Sequence, residues 1–228
     1  RDWKPAFYPE KLPQREWLHY YSSQFNSLEA NTTFYHIPRP ATLQKWFEQT
    51  PDEFSFSVKA PRIITHYKKM TGTRDILMSF YELVFRTLQY KLGCILFQFP
   101  PMFSYTAERL EAITGQLDNS LCNVVEFRHR SWWSPQVYQA LTGAGIGFCS
   151  ISYPGLPDEV VPGTAYFRFH GVPEIYKSPY TEAYIQSVVH RMSRQPAIRR
   201  AWIYFNNTMA ATAIPNARYA QDITRKSD

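Results

Sequence analysis

Seven short stretches alternate apolar and variable residues and then end in polar or charged side chains on one shared phase: Phe25–Asn31, Phe54–Lys59, Cys94–Phe99, Asn123–Arg128, Gly147–Ile151, Ala165–His170 and Ala201–Asn207. Side chains in a strand alternate faces with period two. Val125 and Phe127 therefore oppose Glu126 and Arg128, Phe167 and Phe169 oppose Arg168 and His170, and Val58 opposes Lys59. A parallel barrel whose inner face carries polar groups at the strand ends reads this way, and such groups belong to an active-site mouth.

Helical patterns separate these strands: Glu16–Gln24, Ala41–Gln49 behind Pro40, Asp75–Lys91, Thr106–Leu117, Ser134–Leu141, Thr181–Met192 and Asn216–Thr224. Ile76, Leu77, Phe80, Val84 and Leu88 recur at helical spacing. Ser134 followed by Pro135 suits an N-cap and a first helical position, and Pro40 suits a first turn. Uninterrupted strand–helix alternation means an α/β protein with a parallel sheet. No Gly/Ser linker, composition break or internal repeat divides the chain, so residues 1–228 are expected to form a single domain. The expected fold is a TIM-type (β/α)8 barrel. Seven strands leave it one short, so its first strand is expected upstream of Arg1, or the barrel is open at one edge. On the first alternative, Asp2–Pro13, with Trp3, Phe7, Tyr8 and Pro9, reads as an aromatic loop after that strand. An open doubly wound sheet is the runner-up, but no GxGxxG turn supports it.

A chain of 228 residues and 26.8 kDa, 44% hydrophobic and 17% aromatic, can bury one substantial core. A net charge of +6 favours anionic partners in general terms. No long Lys/Arg run or nucleic-acid-binding signature accompanies it, so nucleic acid is the weaker partner reading. Cys94, Cys122 and Cys149 make no CxxC pair and read as buried thiols in a reducing, cytoplasmic setting. No apolar run approaches the roughly 18 residues of a membrane span.

The segments Glu29-Ala30-Asn31-Thr32-Thr33-Phe34-Tyr35, Phe56-Ser57-Val58-Lys59-Ala60-Pro61-Arg62 and Thr65-His66 resemble the YecE-like family, a TIM-barrel family of unknown function (number 72). Lys91-Leu92-Gly93, Gln98-Phe99-Pro100-Pro101, Glu126-Phe127-Arg128-His129-Arg130-Ser131-Trp132, Tyr204-Phe205-Asn206-Asn207 and Asn216-Ala217 extend the resemblance in order along the chain. It implies an eight-stranded barrel distantly related to sugar-isomerase-like barrels, with no established reaction. Members of the family usually begin with a Gly-containing strand ahead of the aromatic loop. Ala30 stands where they tend to carry a β-branched residue.

The candidate catalytic residues are Glu29, Glu126 and Lys59. The two carboxylates end strands that would be second and fifth in a complete barrel, and paired carboxylates divide acid and base roles when their environments differ. Arg128, Arg168 and His170 stand near them in this scheme, with His66 and His129 on following loops. Cations outnumber acids here, so a phosphate or carboxylate on the substrate would balance the site, and Arg suits that role through its planar fork. The competing account pairs Arg128 with Glu29, or Arg168 with Glu126, across strands. Asn31, Tyr35, Gln98, Tyr204, Asn206 and Asn207 read as hydrogen-bonding groups that orient a polar ligand. The turn Asn207–Ala213 is a candidate phosphate loop without glycines, set against a plain strand-to-helix connection. Trp132 and Trp133 either wall the pocket or pack in the core. Glu29, Glu126 and His170 or His129 could ligate a divalent metal, but Arg128 and Lys59 would repel it, so no metal site is assigned. The cofactor is left unknown. The partner expected is a small, anionic, sugar-like substrate undergoing isomerase-like or hydrolase-like chemistry. The alternative is a non-catalytic module that binds a nucleotide or a nucleic-acid strand.

Overall fold

The computed structural model describes residues 3–163, 165–195, 198 and 200–225. Asp2, the first residue of the expected aromatic loop, lies outside them. The chain divides into two compact units, Leu12–Ile146 and Arg1–Lys11 with Gly147–Asp228.

In the Leu12–Ile146 unit, α1 (Trp17–Gln24) leads into β1 (Ser27–Ala30), followed by the short α2 (Thr32–Tyr35) and α3 (Pro40–Glu48). Then come β2 (Ser55–Lys59), α4 (Arg74–Leu88), β3 (Leu92–Gln98), α5 (Ala107–Thr114), β4 (Asn123–Glu126) and α6 (Pro135–Gly143). The strands β1 to β4 are parallel neighbours in chain order, with Glu29 opposite Ser57, Lys59 opposite Leu96 and Gln98 opposite Glu126. The register between β2 and β3 shifts between Phe56 and Val58. Alternation fixes the faces. Phe56 stacks on Trp46 of α3 at 5.7 Å, and Phe97 meets Tyr81 of α4. Tyr81 also donates to Asn123 Oδ1 at 3.0 Å, so one face of the sheet lies under helices and the other carries Lys59, Gln98 and Glu126. Pro40 occupies the first turn of α3 as the sequence requires. Helix α4 buries Leu77, Phe80, Val84 and Leu88, the spaced residues read from the sequence. It stops three residues before the expected Lys91, because Gln89 turns to φ 50° and the chain tightens into a 3-10 turn.

The other unit holds β5 (Gly147–Phe148), β6 (Ser150–Ser152), β7 (Tyr166–Phe169), α7 (Glu182–Ser193), β8 (Trp202–Phe205) and α8 (Ala213–Arg225). Strands β6, β7 and β8 are parallel, with Ile151, Arg168 and Tyr204 in one row. Phe167 and Phe169 point the other way, into a core with Ile185, Val188 and Met192 of α7 and Ala220 of α8. In the aromatic loop, Trp3, Phe7 and Tyr8 pack on one another, and Trp3 Nε1 donates to the Thr208 carbonyl at 3.2 Å.

Several expectations change. Parallel strands and an α/β fold are present in each unit, β1 to β4 in one and β6 to β8 in the other. The expected strand Gly147–Ile151 breaks at Cys149 into pieces of two and three residues, too short to carry one continuous ladder. The last helix begins at Ala213, with Pro215 inside its first turn, where a missing N–H costs nothing. Ser134 occupies its N-cap position without a side-chain capping bond, whereas Thr106 and Thr181 do cap α5 and α7. Cys122 is exposed, while Cys94 and Cys149 are buried. The sequence reading had no element at Ile63–Tyr67, which forms one π-helical turn after β2.

Candidate functional site

The carboxyl ends of β1 to β4 carry one polar constellation. Glu126, the last residue of β4, is fully buried, and its Oε1 accepts from Arg128 Nε at 2.8 Å. In the neighbouring row Lys59 ends β2 and donates to Gln98 Oε1 at 2.7 Å. The Gln98 amide itself donates to the Phe99 carbonyl, which sets its oxygen toward the lysine. Glu29 near the end of β1 accepts from Asn31 Nδ2 at 3.1 Å. Each donor lies two residues on from its carboxylate, just past the end of the strand.

His66 belongs to the π-helical turn and is hydrogen-bonded through Nδ1 to Thr65 Oγ1 at 2.9 Å. Burial is the main cause that pushes its imidazole down to about 4, and the charges of Lys59 and Arg128 push the same way against the opposing pull of Glu126. At neutral pH it is therefore an uncharged imidazole that can accept or share a proton. Phe34 fills the space between these groups. Its ring lies 4.0 Å from Lys59 Nζ and meets His66 edge-on at 4.9 Å. With His66 neutral, two carboxylates face two cations in this cluster.

Tyr35 and His129 take other partners. Tyr35 is 58% exposed and packs on Phe34 and Arg62. The His129 ring is tied to Ser131 Oγ at 2.8 Å. Trp132 is fully buried core, stacked on Phe127 at 3.9 Å and donating to the Phe103 carbonyl at 2.7 Å. Trp133 Nε1 donates to the Phe127 carbonyl. Arg128 reaches Glu126, a pairing along one chain segment that the cross-strand scheme did not include.

In the other unit, Arg168 and His170 share a face, with Arg168 Nη1 3.5 Å from His170 Nε2. The His170 ring meets Tyr153 and Tyr176 edge-on. Gly171 follows at φ 91°, where a Cβ would lie 2.7 Å from the Glu174 carbonyl, so only glycine fits the bend after β7. Tyr204 stands in register with Arg168 and packs on Tyr166. Asn206 has a buried side-chain Nδ2 without a hydrogen-bond partner among the described residues. Asn207 is buried and its amide donates to the Ser178 carbonyl and Asn216 Oδ1, each at 3.1 Å, which ties the turn to α8. In that turn the N–H groups of Met209, Ala211 and Thr212 already donate to carbonyls, which favours the plain connection over a phosphate loop. A cavity of about 400 Å³ lies at the end of β6, lined by Ser152, Tyr153, Leu156, Asp158, Tyr180 and Tyr184. Tyr180 donates to Ser152 Oγ at 2.9 Å and Tyr184 to Asp158 Oδ1 at 2.6 Å. The sequence reading passed over these tyrosines, Phe34 and Arg62. Their aromatic density was the available signal, but it does not separate a lining ring from a core ring. Among the described residues no group of three or more His, Cys, Asp or Glu side chains is placed to hold a metal ion. Among them, too, no helix is long and apolar enough to cross a membrane.

The family model "Protein of unknown function DUF72" matches residues 1–228. The chain belongs to the DUF72 family. It is 33% identical over 148 residues to the UPF0759 protein YunF of Bacillus subtilis (strain 168), a match covering 59% of this chain and 50% of that protein. It is 34% identical over 86 residues to the UPF0759 protein YecE of Escherichia coli (strain K12), covering 38% of this chain and 31% of that one. The matches thus span half the length of these relatives or less. A DUF72 family protein (TM1631) from Thermotoga maritima MSB8, known from a crystal structure, has a TM-score of 0.87 to this chain at 27% identity, covering 98% of this chain and 95% of its own. A second DUF72 structure (EF0366), from Enterococcus faecalis V583, shares the fold with a TM-score of 0.76 at 22% identity, covering 91% of this chain and 88% of its own.

Proposed function

We propose that this DUF72 chain is an enzyme performing acid–base chemistry, isomerase-like or hydrolase-like, on a small, anionic, sugar-like substrate. The observation that carries the reading is Glu126, fully buried at the carboxyl end of a parallel strand against Arg128, with Lys59–Gln98 and Glu29–Asn31 on adjacent strand ends. Buried charges are seldom the most stable way to fill space, so a cluster of them at strand ends marks a place where the fold gives up stability for chemistry. Glu126 and Glu29 differ in their partners, one an arginine and the other an amide, which suits a division into acid and base. Lys59 steadies developing negative charge, and neutral His66 accepts or relays a proton. Gln98, Asn31 and Arg128 orient the substrate. In the other unit, Arg168 and His170 suit a phosphate or carboxylate, with Tyr204 and Asn206 as further polar groups there. A single TIM-type (β/α)8 domain over residues 1–228 and a cytoplasmic setting belong to the same reading.

The test is a thermal-shift panel of sugar phosphates, sugar acids, nucleotides and short oligonucleotides, with and without divalent metal. A small anion should raise the Tm of wild type, and Glu126→Gln should abolish its turnover. Wild-type turnover by Glu126→Gln would sink the acid–base assignment. One observation favours a nucleic-acid reading instead. Arg62 lies over the exposed rings of Tyr35 and Tyr67, at 5.9 and 5.4 Å, beside exposed Lys68 and Lys69. Such an aromatic and cationic surface suits base stacking. It predicts an oligonucleotide shift that collapses with salt and is indifferent to Glu126→Gln.

A further inference from the structure

Cys94 and Cys122 stand on neighbouring chain segments at the amino ends of β3 and β4. The ladder pairs Ile95 with Asn123, so the residues just before them face one another. The Ile95 N–H donates to the Cys122 carbonyl at 2.8 Å, which fixes the two backbones at this point. Neither cysteine is in a disulfide, and their sulfurs lie 2.8 Å apart. Cys94 is buried and Cys122 is exposed. The turn that presents Cys122 is itself held. Asp118 accepts from the Ser120 N–H at 2.9 Å, and the Asp118 carbonyl accepts from Asn123 Nδ2 at 2.6 Å. Tyr81 in turn donates to Asn123 Oδ1.

We propose that Cys94 and Cys122 are an oxidant-responsive pair that closes to a reversible disulfide, with hydrogen peroxide as the oxidant. Exposed Cys122 is the attacking thiol. Its sulfur, as thiolate, takes one peroxide oxygen as the O–O bond breaks, and the other oxygen leaves as hydroxide and is protonated to water. Cys94 Sγ then attacks the Cys122 sulfenic sulfur, the S–S bond forms, and the sulfenic oxygen leaves as a second water carrying the Cys94 proton. Two thiols are oxidised and one peroxide is reduced to two waters. Neighbouring ladder positions bring the α-carbons into the range a disulfide spans, so no strand has to move far. Low-molecular-weight thiols reverse the bond by exchange. The link staples β3 to β4 at the ends away from Gln98 and Glu126, and it does not depend on the reaction assigned to those residues.

The experiment is a thiol titration of the whole chain in denaturant before and after treatment with equimolar hydrogen peroxide under native conditions. The three cysteines of the sequence titrate fully in the reduced protein. After peroxide only one should remain, and peptide mapping should join Cys94 to Cys122, with a mass about 2 Da below the reduced pair. Dithiothreitol should restore all three. Cys122→Ser, a change at an exposed position, should keep both remaining thiols through the same treatment. Retention of three thiols by wild type, a bridge to Cys149, or Cys122 sulfinic acid without a crosslink would each overturn the proposal.

Discussion

Two buried lysines sit at opposite ends of the sheet in the Leu12–Ile146 unit, Lys91 just before β3 and Lys59 at the end of β2. They are 2% and 8% exposed, so burial alone does not distinguish them. Lys91 Nζ donates at 2.7 Å to both the Phe47 and Thr50 carbonyls and lies 4.5 Å from the Phe47 ring. Backbone carbonyls at a helix end have few other partners, so this ammonium closes the end of α3 and joins it to β3. Lys59 Nζ instead donates to a side chain, Gln98, and sits over the Phe34 ring among residues whose charges shift His66. The amino end of this sheet uses its buried charge to close a helix end, whereas the proposed function assigns the charge at the carboxyl end to chemistry.

The contrast can be broken at the carboxyl end first. If its stability resides in the aromatic layer behind Glu126 and not in its charges, Trp132→Ala should be the most damaging change, costing about 3–5 kcal/mol in urea unfolding. A loss below about 1 kcal/mol would show that the stack of Trp132 on Phe127 is not what holds this end. Next comes Lys91→Met, which leaves two carbonyls without their donor and should cost about 2–3 kcal/mol by the same measurement. Lys59→Met should cost less than about 1 kcal/mol, since it also relieves a buried cation, while removing any small-anion thermal shift. Equal losses for the two lysines would abolish the distinction. The smallest effect concerns pH. His66 is held down to about 4 in the folded chain against an ordinary 6.5, so the unfolded chain binds its proton more readily. Its contribution is complete above pH 6.5 and declines as the pH falls toward 4. Solvent screening of this half-buried ring limits the loss to about 1 kcal/mol. His66→Gln should flatten that part of the stability–pH curve, and an unchanged curve would remove the imidazole from the cluster.

The strand faces were legible because period two leaves little choice. Val58 against Lys59, Phe127 against Glu126 and Phe169 against Arg168 follow from apolar residues recurring every second position. The interruption at Cys149 was not legible, since Gly147-Phe148-Cys149-Ser150-Ile151 has the alternation of an intact strand. The π-helical turn that carries His66 was also hidden, because periodicity needs several turns to register and this element has one. Partnerships were the least legible. Nothing local distinguishes Lys91 from Lys59, or foretells that Arg128 bonds Glu126, that Asn207 ties Ser178 to Asn216, or that the thiols of Cys94 and Cys122 meet.

The sequence by itself determined the α/β alternation, the sheet faces, the DUF72 motifs and the set of polar residues at the strand ends, because each depends on short-range spacing. The tertiary structure decided which of those side chains meet and that His66 stands there uncharged. It also decided which buried lysine closes a helix end. These outcomes depend on strand register and on desolvation by residues distant in the chain, and both exist only once the sheet has assembled.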